Sequence, residues 1–154
     1  MDEVGTRDSV VITDAALEPA ELAAWATRPG CGAVVTFCGT VRDTSDDRDG
    51  IEALEYETDP DLARRRIDLV VESARSRWPD LGAVAIHHRI GRVDLTEASV
   101  VVVVSAPHRD VAFSAARFCI DAVKETVPLY KRDVWKGGSA WSRDARPVTD
   151  LSGS

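Results

Sequence analysis

The chain has 154 residues, 44% hydrophobic and 29% charged, with a net charge of −7. That size and balance fit one globular domain with its own core, not a disordered chain. The acidic total argues against non-specific nucleic-acid binding, and no apolar run approaches the roughly 20 residues that span a bilayer.

The start, MDEVGTRDS, lacks the basic-then-apolar pattern of a signal peptide, so cytoplasmic residence is the expectation. Charge is unevenly spread: residues 1–61 hold 15 acids against 4 bases, and residues 62–154 hold 11 against 15. A basic C-terminal half favours a confined anionic ligand. Cys31, Cys38 and Cys119 form no CxxC pair. No disulfide framework or structural zinc site is therefore expected, and the three should pack as small buried or half-buried residues.

In chain order, residues 10–12 read as a short strand and 14–27 as a helix stopped by Pro29-Gly30. Residues 32–39, rich in β-branched side chains, read as a strand buried on both faces. Residues 42–50, RDTSDDRDG, read as an exposed, mobile loop, and 51–57 as an alternating strand. Asp59-Pro60 supplies an N-cap and a first-turn proline for a helix reaching Trp78, with Ala63, Ile67, Val70, Val71, Ala74 and Trp78 as its apolar stripe. Arg64, Arg65 and Arg66 lie largely off that stripe, on a solvated face. A strand at 83–90, a turn at 91–96 and a strand of five consecutive valines at 98–105 follow. A helix over 110–127 then buries Ala112, Phe113, Ala116, Ile120, Val123 and Val127. Pro128 ends it, the chain runs extended to Trp135, and the remainder reads as loop. Residues 1–8 and 147–154 are expected to fray. The pattern predicts a single α+β domain over 1–154, with a mixed or antiparallel sheet and packed helices.

All three lysines, Lys124, Lys131 and Lys136, fall within thirteen residues; every other cation is arginine. Lysine can be deprotonated by its surroundings and arginine cannot. Neutrality at pH 7 costs a free lysine roughly 4.6 kcal/mol, within reach of burial and neighbouring cations. Lys124 and Lys131, separated by a helix end and a proline, could converge on one pocket. His108-Arg109, between a buried strand and a helix start, is a natural anion site. Arg42, just past the strand at 32–39, is placed to bind phosphate. His87 and His88 alternate faces on a strand and read as structural. Two other readings stay open: a non-catalytic module for a phosphorylated ligand, and a persulfide carrier using Cys38 or Cys119. Trp135 and Trp141 fit either a core or an interface.

GAVVTFCGTVRD (32–43), LEYE (54–57), HHRIG (87–91), SAPHR (105–109) and AVKETVPLYKRD (122–133) occur in this order. Together they resemble the MoaE family, the large, catalytic subunit of molybdopterin synthase. The resemblance implies an α/β-hammerhead fold, no cofactor, and a homodimer. It further implies a heterotetramer in which each end receives a small ubiquitin-like sulfur carrier of the MoaD type. The carrier's C-terminal Gly-Gly thiocarboxylate would deliver sulfur to cyclic pyranopterin monophosphate (precursor Z). Lys124 and Lys131 match the family's active-site lysines. Thr40, Val41, Arg42, His108, Arg109, Arg132 and Asp133 match substrate-pocket positions, and an arginine of the tail, Arg143 or Arg146, could complete the pocket. Tyr130 and Asp133 replace the commoner tryptophan and glutamate, and Thr40 replaces a lysine found in some members.

Overall fold

The computed structural model describes residues 7–142. Its elements are β1 (Asp8–Thr13), α1 (Pro19–Ala26), β2 (Ala33–Thr40), β3 (Ile51–Glu57), α2 (Pro60–Arg77) and β4 (Val84–Arg89). They continue with β5 (Gly91–Asp94), β6 (Ala98–Ala106), α3 (Arg109–Thr126), β7 (Tyr130–Trp135) and β8 (Gly138–Trp141). The strands form two four-stranded sheets ordered β1-β4-β6-β2 and β5-β3-β7-β8. In the first, β1 runs parallel to β4 while β6 pairs antiparallel with β4 and β2. The second is antiparallel throughout. This is the expected α+β class.

The valine run is buried on both faces because helices cover both sides of its sheet. Val100, Val102 and Val104 pack with Val84 and Ile86 of β4 against α2 and α3. Val101 and Val103 pack with Ala85 against Leu22 and Ala26 of α1. Each fully buried valine contributes about 1.5–3 kcal/mol of apolar burial at most. On α2, Asp59 Oδ1 accepts from the Asp61 and Leu62 N–H groups at 3.1 and 3.2 Å, and the stripe is buried as expected, with Trp78 partly so.

Several expectations need correction. The first helix begins at Pro19, not 14, since a residue before proline is driven out of the helical region; Glu18 sits at φ −122°, ψ 74°. β2 is an edge strand with Thr36, Phe37 and Cys38 exposed, so it is not buried on both faces and Cys38 is not a core residue. Residues 91–94 form β5, held by β3 through alternation around buried Val93. Residues 138–141, expected as loop, pair with β7 as β8. Phe113, one position past Ala112 and so about 100° round the helix, lies outside the buried arc and is 63% exposed. Residues 7 and 8 do not fray: the Arg7 carbonyl accepts from the Val84 N–H at 2.8 Å, and Asp8 pairs with Arg75. The expectations for 147–154, Arg143 and Arg146 lie outside the described residues. No helix among the described residues is long and apolar enough to cross a membrane.

Candidate active site

α3 stops because Pro128 forces its predecessor to extended backbone; Val127 caps the helix at φ −95°, ψ 122°. The Thr58 hydroxyl donates to the Pro128 carbonyl at 2.6 Å and ties this turn to the end of β3. The chain therefore reverses beside the last turn of α3, where Lys124 stands, and β7 brings Lys131 back alongside it. Between these elements opens a hollow of about 710 Å³ whose wall includes Lys124, Lys131 and Arg42. The two lysines and the strand-end arginine thus share one cavity.

The other matched positions do not line it. Val41 is 2% exposed, with its N–H donating to the Glu97 carbonyl and its carbonyl accepting from the Thr96 N–H, so its work is to anchor the end of β2. Thr40 is exposed at the tip of β2. Arg132 lies on the opposite face of β7 from Lys131, with its guanidinium 4.6 Å from the Trp141 ring centroid. Asp133 is 2% exposed and accepts from Arg48 Nε at 3.1 Å and Ser45 Oγ at 3.3 Å. His108 is the N-cap of α3 and Arg109 its first residue, both exposed. A helix rises about 1.5 Å per residue, so the fifteen steps to Lys124 put roughly 22 Å between the backbones of Arg109 and Lys124. One chain does not bring His108, Arg109 and Arg132 into the hollow that holds Lys124, Lys131 and Arg42.

The wall also holds groups that sequence reasoning missed. His88 is buried and its Nδ1 donates to the Arg89 carbonyl at 2.7 Å; a carbonyl only accepts, so the neutral ring leaves Nε2 as an acceptor. Burial pulls its pKa down to about 4; the bond to Arg89 opposes this and the Lys124 charge reinforces it. Its ring meets Tyr56 edge-on, centroids 5.0 Å apart. Burial raises the Tyr56 pKa, opposed by a hydrogen bond with Ser99 and aided by the Asp133 charge. Alternation did separate His88 from His87, which turns to Ser9 at 2.8 Å. Only the packing of the two sheets shows which histidine meets the hollow. Asp46, Asp121 and Glu125 also line it, so the cavity is mixed in charge, with Arg117 at the wall paired to Asp121 at 2.8 Å. No group of three or more potential metal ligands occurs among the described residues.

The family model described as MoaE protein matches residues 12–126. The molybdopterin synthase catalytic subunit of Thermoplasma volcanium is 44% identical over 132 residues, covering 84% of this chain and 93% of that protein. Molybdopterin synthase from Staphylococcus aureus superposes with a TM-score of 0.79 at 30% identity, covering 85% and 94% of the two chains. A complex of subunits 1 and 2 of molybdopterin-converting factor from Helicobacter pylori shares the fold at a TM-score of 0.73, 20% identity and coverage of 92% and 94%. By its sequence match and its fold, the chain belongs to the MoaE family, which includes molybdopterin synthase catalytic subunits.

Proposed function

We propose that this chain is the sulfur-transferring subunit of a molybdopterin synthase. It takes sulfur from the C-terminal thiocarboxylate of a small ubiquitin-like partner and delivers it to cyclic pyranopterin monophosphate, building the dithiolene. The observation that carries this reading is the cavity shared by Lys124, Lys131 and Arg42. Both reactants are anions, and a partly enclosed site strengthens their attraction to fixed cations. Arg42 is the phosphate ligand, Lys131 holds charge on the substrate, and Lys124 acts on the acyl-sulfur centre or carries its proton. The transfer calls on no cofactor.

His108 and Arg109 belong to the same reading only through a second copy of the chain, since their own Lys124 is roughly 22 Å away along α3. A homodimer flanked by two carrier subunits, a heterotetramer, satisfies that requirement. The Helicobacter pylori structure is a complex of subunits 1 and 2 of that organism's molybdopterin-converting factor.

The test is Lys124→Ala, assayed with the thiocarboxylated partner and the pyranopterin. Turnover should fall by roughly a hundredfold or more while the partner still binds. Near-normal turnover would reject the assigned role.

A further inference from the structure

The β2–β3 loop was expected to be mobile, yet it is fastened at both levels of structure. Within the loop, the Ser45 N–H donates to the Arg48 carbonyl at 2.8 Å and the Ile51 N–H to the Asp43 carbonyl at 2.9 Å. Gly50, at φ +71°, supplies the left-handed residue that returns the chain into β3. Across the fold, Arg48 Nε donates to Asp133 Oδ2 at 3.1 Å and Ser45 Oγ to the same oxygen at 3.3 Å. The Arg48 guanidinium also covers the Trp135 ring at 4.5 Å.

An exposed ion pair would contribute little. This one differs, because its carboxylate is 2% exposed and its arginine side chain 22% exposed. A buried carboxylate stripped of its partner is strongly unfavourable, so the pairing resists opening. Its location gives it a consequence for the hollow. Arg42 and Asp46 come from the fastened loop, and Lys131 lies two residues before Asp133 on the same face of β7. The contact therefore links one wall of the cavity to the other.

We propose that Arg48 and Asp133 are positioning residues, a clasp that fastens the β2–β3 loop to β7 and fixes Arg42 relative to Lys131 before substrate arrives. The proposal rests on the synthase reading for what the cavity binds. It places Asp133 behind the site, holding the loop, and not on the substrate. Without the clasp, the loop would have to be ordered during binding, and that ordering weakens affinity. A contact made equally by bound substrate and transition state alters KM and spares kcat.

The experiment uses the full chain with its carrier partner and compares Arg48→Ala, Arg48→Lys and the double variant R48A/D133N. The double variant removes both charges, so it folds even if Arg48→Ala leaves Asp133 too unfavourable to bury. Amide hydrogen exchange is followed at Ser45, Ile51 and the β6 valines, alongside kcat and KM for the pyranopterin. The clasp predicts faster exchange at Ser45 and Ile51 with β6 unchanged. It also predicts a KM raised roughly ten- to a hundredfold and kcat within about threefold of wild type. Arg48→Lys should fall between. Unaltered loop exchange and KM would overturn the proposal, as would exchange rising equally in β6, which marks a general loss of stability. If wild type makes no product, the synthase reading fails and the exchange pattern alone decides the clasp.

Discussion

Replacing His88 with glutamine isolates one buried titration and so tests the interior of the hollow. Folded, the imidazole has a pKa of about 4; in the unfolded chain it returns to 6.5. As pH falls below 6.5, the unfolded chain takes up a proton that the folded one refuses until about pH 4, and stability is lost across that window. Between pH 8 and pH 5 the loss is about 2 kcal/mol, and below pH 4 it approaches roughly 3 kcal/mol. Glutamine does not titrate, so His88→Gln lacks this component, although losing the ring contact with Tyr56 lowers its stability at every pH. Tyr56 from β3 and Lys124 from α3 face the ring and are unchanged in the variant, as is His87, whose own lowered pKa contributes equally to both proteins. Urea unfolding from pH 8 to pH 5 measures the difference. Wild type should lose about 2 kcal/mol more than His88→Gln over this range. Parallel pH dependences would show that His88 is neither buried nor neutral as described.

Other outcomes follow from the same geometry. Lys124→Arg keeps a cation but cannot yield a neutral amine, so synthase turnover should fall roughly a hundredfold in the reconstituted assay. A simple electrostatic role would leave it intact. Ile67, fully buried between α2 and the sheet, should lose about 2–5 kcal/mol on replacement by alanine, read as the midpoint of urea unfolding. Partial desolvation at the strand surface raises the pKa of the exposed Cys38 thiol, and burial pushes that of Cys119 up to about 12, so neither thiol is primed as a sulfur carrier. The double variant C38A/C119A should retain sulfur transfer, and its loss in a folded protein would favour a persulfide route.

Elements whose local signals agree could be read directly from the chain. Asp59-Pro60 and a regular apolar stripe specify α2, and five valines bounded by serines specify β6. The helix end and Pro128 between Lys124 and Lys131 already allowed the two to converge on one pocket, and both line the same hollow. Features set by long-range pairing were not readable. The exposure of β2 depends on its place at the sheet edge, and β5 and β8 are four-residue strands that exist through pairing with β3 and β7. The burial of Asp133 depends on the β3–β7 register and on a loop arginine 85 positions away in sequence. The separation of His108 and Arg109 from Lys124 followed from helix rise alone. Motif matching obscured it by grouping residues that one chain holds at opposite ends of α3.

The proposed reaction carries sulfur from the partner to an anionic pterin in the cavity shared by Lys124 and Lys131. Mass spectrometry of a reconstitution tests it most directly: this chain, a ubiquitin-like partner bearing an isotopically labelled C-terminal thiocarboxylate, and cyclic pyranopterin monophosphate. The expected product is a pterin dithiolene carrying two labelled sulfurs, with two equivalents of partner returned as carboxylate. Unchanged pyranopterin, despite a bound and intact thiocarboxylated partner, would contradict it.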